Sequence, residues 1–204
     1  MFLQNLRTQT ADCHKALEEN SYSVALLSNN VSMEDYKIYL QKLYGVVSGF
    51  EKNVFPLLER SLPTISERRK AHLLMKDISA ENTTDTIAVL PDKDFTTFYT
   101  TEAAAWGGMY VLEGSTLGGQ VIQKHLIKSL PDFEGSSYFS AYGSQIGSQW
   151  KDFLQQLSLA AQTPGWEQEI IDGAIHTFTM IDNWMKTEAS QLLDFTRPNL
   201  SHLK

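Results

Sequence analysis

Tyr110-Val111-Leu112-Glu113-Gly114-Ser115-Thr116-Leu117-Gly118-Gly119-Gln120-Val121-Ile122 is the stretch on which the reading of the fold turns. It lies in a proline-free run, Thr101 to Lys128, rich in alanine, leucine, valine and isoleucine, and that run reads as helix. Yet Gly114, Ser115, Gly118 and Gly119 are all small, and with Gly107 and Gly108 the segment holds five of the chain's twelve glycines. A glycine inside a helix costs about 1 kcal/mol relative to alanine, so a penalty of roughly 5 kcal/mol must be offset. At about 100° per residue, Ala103, Ala104, Gly107, Gly108, Gly114, Ser115, Gly118 and Gly119 share one arc of about 160°, interrupted by Val111 and Ile122. Trp106, Tyr110, Leu117 and Val121 are expected to form a packing edge beside it. The bare arc lets another object approach the backbone, either a tightly packed helix or a flat ligand. The pattern by itself favours the helix, the commoner occupant.

Outward from this segment the pattern stays helical. Leu3, Leu6, Thr10, Ala11 and Leu17 give a stripe for a first helix over about 2–19. Ser32, with Asp35 three residues on, reads as a capping box for a helix that runs to about Leu58, bent or restarted at Pro56. Ser66 is expected to cap a helix reaching Ser79, and residues 80–93 read as a polar loop. The glycine-bearing helix is expected from about 95 to 129, where Pro131 stops it. Residues 131–143 look irregular, and Gln145 to Ala161 is helical again. Thr163-Pro164 fits an N-cap with proline at the first position of a last helix over about 165–194. No segment alternates as a strand and no linker divides the chain, which predicts one all-α domain spanning residues 1–204.

A net charge of −7 without a lysine- or arginine-rich stripe excludes an ordinary nucleic-acid binder. Arg68-Arg69-Lys70 is too short for such a stripe and is expected on a solvated helix face. Cys13 is the only cysteine, so no internal disulfide forms. Met1 to Thr10 lacks the apolar core of a signal peptide, and no run approaches the ~18 apolar residues of a membrane span. A soluble, cytoplasmic protein is expected.

The five histidines, His14, His72, His125, His176 and His202, show none of the HxxxH or HExxH spacings of a chelating site. A metal that brings its own ligands needs only one histidine. His14 has suitable neighbours: Arg7 lies about 20° away on the same helix face and about 10 Å along the axis, and Glu18 follows at i+4. Glu18 can steady the imidazole, although His14 and Glu18 equally suit an ordinary surface pair.

Two segments together carry a family resemblance. Leu6-Arg7-Thr8-Gln9-Thr10-Ala11-Asp12-Cys13-His14-Lys15-Ala16-Leu17-Glu18 resembles the proximal helix of heme oxygenases, and Gly114-Ser115-Thr116-Leu117-Gly118-Gly119-Gln120 resembles their distal helix. The wording Tyr110 to Gly119 is most similar to the bacterial branch associated with bacteriophytochromes. The resemblance implies an all-α fold with heme between the two helices. It makes His14 the axial iron ligand, supported by Glu18. Gly114, Ser115, Gly118 and Gly119 become the distal wall, and Arg7 and Lys151 the partners of the heme propionates. The implied reaction is oxidative opening of heme to biliverdin, carbon monoxide and ferrous iron, with O2 and electrons from ferredoxin or another reductase. A biliverdin-binding photoreceptor is the implied downstream partner.

The chain departs from the family pattern in two respects. Many members carry an aspartate after the first distal glycine, ordering the water that delivers protons; here that position is Ser115, which can hydrogen-bond water but has no charge. An arginine found in the same network of some members is absent, with Val111 nearest. A non-catalytic heme-binding or sensor protein on the same fold is therefore the alternative expectation. A relative that has lost heme, thiaminase-like or diiron, is a weaker one, since no carboxylate and histidine cluster is present.

Overall fold

Asn20 marks the first place where local chemistry overrides the apolar stripe. Its side chain accepts from the Tyr22 amide at 3.1 Å and its own amide donates to the Asp182 carboxylate at 2.8 Å. The chain therefore turns after α1 (Phe2–Glu18) into a short helix, α2 (Ser21–Leu26), that the sequence pattern did not announce. The computed structural model describes residues 1–80 and 92–187, and every regular element among them is helical. The expected loop over 80–93 and the end of the last helix fall largely outside the described residues.

α3 (Met33–Asn53) opens on the expected capping box, with Ser32 and Asp35 bonding each other's backbone. Pro56 starts a new short helix, α4 (Phe55–Leu58), as its missing N–H requires. The helix expected from Ser66 is displaced. Ile65–Arg68 form a single 3-10 turn, Arg69 is extended, and α5 (Ala71–Ala80) begins only where Glu51 accepts from the Lys70 and Ala71 amides at 2.5 and 2.8 Å. After α6 (Asp92–Thr96), the glycine helix α7 (Glu102–Ser129) starts later than expected, because Thr101 caps it by accepting from the Ala104 amide at 3.2 Å. α8 spans Ile146–Ala160. α9 (Trp166–Lys186) is not capped by Thr163. Gly165, at φ 87°, makes the entry turn in a left-handed conformation that glycine alone adopts freely.

α7 and α9 form the central pair. Gly107 and Gly173 let their backbones approach so closely that a Cβ on Gly107 would lie 2.6 Å from the Ala174 nitrogen, and a Cβ on Gly173 3.0 Å from the Ala104 Cα. α1 packs beside α9, and α8 beside α7. The apolar interior divides in two. One core gathers α1, α3, α4, α8 and α9 around Trp106 and Met109 of α7; a second gathers Leu40, Leu74, Ile78 and Phe139 around Leu126, near the far end of α7. Among the described residues no helix is long and apolar enough to cross a membrane.

Candidate functional site

Two ties join the α1–α2 segment to α7. At one, the Tyr110 phenol lies beside Arg7 and Thr10; burial pushes the phenol up, opposed by the Arg7 charge. At the other, a ring nitrogen of His125 sits 2.9 Å from the Ser28 carbonyl oxygen. The ties are fifteen residues apart on α7, about 22 Å along its axis. Tyr110, Gly114, Leu117, Gly118, Val121 and His125 fall within about 100° of arc, so the ties bracket one stripe of the helix.

Between the ties the stripe is uncovered. A Cβ on Gly118 would meet nothing within 4 Å. Leu117 is 39% exposed and Val121 61%, so the packing edge expected of them is not made. Apolar groups left in water beside bare backbone are what a flat apolar ligand would cover. Gly114 borders the stripe beneath the Trp150 ring, 3.5 Å from the position of a Cβ. Gly119 departs from the rest: it is buried, with the Phe139 ring 3.1 Å from where a Cβ would be, so its small size serves packing on the other side of the helix.

On the other side of the gap, His14 lies one turn beyond Thr10 and is exposed. Its ring meets Phe178 edge-on at 5.5 Å, and its Nδ1 lies 3.5 Å from a Glu18 carboxylate oxygen. Phe178 and Glu18 thus hold the imidazole from two directions. Arg7 is exposed beside Tyr110, and Lys151 is exposed on α8 next to Trp150. Ser115 is exposed and donates its hydroxyl proton to the Leu112 carbonyl at 2.7 Å. Val111, where some relatives place an arginine, is buried. Among the described residues no three His, Cys, Asp or Glu side chains gather as a metal site.

Beside this stripe on α7 lies a feature the sequence reading missed. Arg68 and Lys70, expected on a solvated face, are buried. Both converge on Glu113, which is 1% exposed: Arg68 Nη1 lies 2.5 Å from one carboxylate oxygen and Lys70 Nζ 2.8 Å from the other. The Tyr142 hydroxyl reaches the same carboxylate at 2.9 Å, and Arg68 also pairs with Asp152 at 3.0 Å. Burial pulls the Lys70 ammonium down, against the attraction and hydrogen bond of Glu113. Burial pushes the Tyr142 phenol up, and the Glu113 charge adds to it. The sequence signal was Glu113 itself: about 100° from Gly114 on the wheel and one residue from a bare face, it has to point inward unless α7 stands free.

A bare, bracketed helix stripe near an exposed, oriented histidine is the arrangement that comparison with known proteins then identifies. Residues 1–187 match the family model described as heme oxygenase. The chain belongs to the heme oxygenase family. It is 26% identical over 166 residues to the heme oxygenase of Xanthomonas campestris pv. campestris, covering 81% of this chain and 97% of that protein. Among solved structures, the Neisseria meningitidis heme oxygenase, studied with NO and CO bound, superposes with a TM-score of 0.68 at 22% identity, over 91% of this chain and 90% of that one. Heme oxygenase-1 of the cyanobacterium Synechocystis, in complex with heme, gives 0.74 at 17% identity, over 95% and 94%. At these identities the two likenesses show the fold. Family membership makes the chain an enzyme that degrades heme.

Proposed function

We propose that heme is held and opened in the slot between the α1–α2 segment and α7. The carrying observation is the uncovered stripe between the Tyr110 and His125 ties, with no atom within 4 Å of a Cβ on Gly118. The residues present fit a heme. His14 offers the exposed imidazole for the iron, and the contact with Glu18 orients it. Gly114 and Gly118 let the porphyrin approach the helix backbone, while Leu117 and Val121 offer it an apolar edge. Gly119 supports this wall by seating α7 on Phe139. Arg7 and Lys151 are the exposed cations for the propionates, and so set how the ring is turned. Ser115 holds water at the distal edge.

When bound, heme supplies the redox chemistry, with O2 and with electrons from ferredoxin or another reductase. The protein orients the ring, keeps a narrow polar path for protons beside an apolar wall, and releases biliverdin, carbon monoxide and ferrous iron. In this reading the work is done in the cytoplasm, in line with a lone, unpaired Cys13, and the pigment is consumed by a biliverdin-binding photoreceptor, as the Tyr110–Gly119 wording implies.

The test is to load the purified protein with hemin, supply ascorbate or ferredoxin with its reductase, and identify the pigment. Biliverdin is expected. A heme spectrum that persists under reductant and O2, with no pigment, would instead assign the chain to the sensor class. His14→Ala should abolish the histidine signature in the Soret band; an unchanged band removes His14 from its role.

A further inference from the structure

His14 stands at the margin of the α1 face that packs on α9. Leu6 and Thr10 on that face are buried, and Cys13 packs against the first core. On the helix wheel His14 lies about 40° from Thr10 and 100° from Cys13, so its ring is only half covered. A side chain so placed has several staggered rotamers open to it unless a neighbour selects one.

Two neighbours act on the ring, and they are unequal. The Glu18 oxygen lies 3.5 Å from Nδ1, beyond the usual hydrogen-bond length, and the Glu18 side chain is 69% exposed. Glu18 is also the last residue of α1, where helices fray. An exposed pair of this kind contributes little and weakens with salt. Phe178 is 5% exposed, with its ring centroid 5.5 Å from that of the imidazole and the two planes 74° apart. An edge-to-face pair at that separation is attractive beyond the area it buries, and salt does not screen it.

Phe178 is also firmly mounted. The preceding Thr177 is buried; its hydroxyl donates to the Gly173 carbonyl at 2.7 Å and lies 2.6 Å from the Tyr99 hydroxyl. Gly173 in turn rests on the Ala104 backbone of α7. The ring therefore projects from the stretch of α9 that is seated most closely on α7.

We infer, on the reading of the slot as the heme site, that Phe178, more than Glu18, is the positioning residue that sets the plane of the His14 imidazole and with it the aim of Nε2 at the iron. Glu18 lies on the Nδ1 side, which leaves Nε2 as the coordinating nitrogen. One helix then serves both walls of the slot: α9 seats α7 through Gly173 and orients the iron ligand of α1 through Phe178.

The heme-free protein gives the first test. Proton NMR should show cross-relaxation between the His14 and Phe178 rings, and it should persist at high salt and in Glu18→Ala. Its loss under either condition would make the carboxylate the holder and overturn the inference. The second test uses hemin. Phe178→Leu keeps apolar bulk without the ring; hemin dissociation should quicken roughly tenfold, the scale of losing a partner that orients a metal ligand. In the reduced complex the iron–histidine stretching band should shift and broaden in resonance Raman, and Phe178→Tyr, which keeps the ring, should restore it. Glu18→Ala should move the band less. A Phe178 that only fills the core would lower the melting temperature and leave the band in place, and that result, or a larger movement in Glu18→Ala, overturns the inference. If Phe178→Leu does not fold, the NMR comparison of wild type with Glu18→Ala decides, since Glu18 is exposed. Failure of the slot reading looks different: His14→Ala then leaves the heme spectrum unchanged while the ring contact in the heme-free protein stands.

Discussion

The two halves of α7 use the same residue for opposite ends. In the first half, Gly107 and Gly108 are buried under other elements: a Cβ on Gly107 would collide with the backbone of α9, and one on Gly108 would lie 2.8 Å from the Phe50 ring. In the second half, Gly118 faces open space. The small-residue arc is therefore packed against a second backbone in its first half and open at Gly118 in its second. On a helix wheel the arc is a single surface, but the α7–α9 pair ends where α9 begins, at Trp166, and beyond it α7 is covered by α8 and by Phe139 on other sides, leaving the Gly118 direction open. What separates the packed positions from the open one is whether another element covers the bare face.

The junction between the halves is Glu113, and removing it should break the comparison most severely. Glu113→Ala strands Arg68 and Lys70 in a buried place with Asp152, itself half exposed, as the remaining carboxylate of the cluster. Losing one partner of a buried ion pair costs about 3–5 kcal/mol, because the other charges stay desolvated. Urea denaturation measures this directly. A loss under about 1 kcal/mol would mean that water reaches the cluster and that it does not anchor α7.

Gly107→Ala comes next. The clash is with main-chain atoms of Ile170, Gly173 and Ala174, which cannot swing aside as a side chain would. The helices must separate and part of the first core must loosen, at a cost of about 3 kcal/mol, the upper range for overpacking. Thermal and urea unfolding should both report it. A variant as stable as the parent would show that the α7–α9 approach yields easily, and the contrast with Gly118 would lose its basis.

The sequence told these halves apart only in part. The apolar stripes, the Ser32 and Asp35 box and the proline stops were visible because they are local, and the structure has them. His14 with Arg7 and Glu18 was also local, since one helix sets their spacing. What could not be read is what depends on distant partners. Arg68 and Lys70 look like a surface run until Glu113, more than forty residues on, draws them inward. Leu117 and Val121 look like a packing edge until the helix expected to meet them is seen to lie elsewhere. Phe139, which seats on Gly119, and Tyr142, which reaches Glu113, come from the irregular segment 131–143, where neither periodicity nor composition points to a place in space.

Gly118 carries the smallest effect on folding and the sharpest contrast. Its backbone is helical and its Cβ direction is empty, so Gly118→Ala should stabilise the heme-free protein by up to about 1 kcal/mol, the helix propensity that glycine forgoes. The same change in Gly107 is expected to be strongly destabilising, so the two variants measured side by side isolate what a covering backbone does. Gly118→Leu extends the argument. The larger side chain still enters open space and should leave the melting temperature within a few degrees of wild type, yet it fills the stripe between the Tyr110 and His125 ties. Hemin affinity and pigment formation should then fall while stability does not. Loss of stability in Gly118→Leu would mean that the second half of α7 is as closely covered as the first; full heme turnover in that variant would mean that the bare stripe is not where the porphyrin lies.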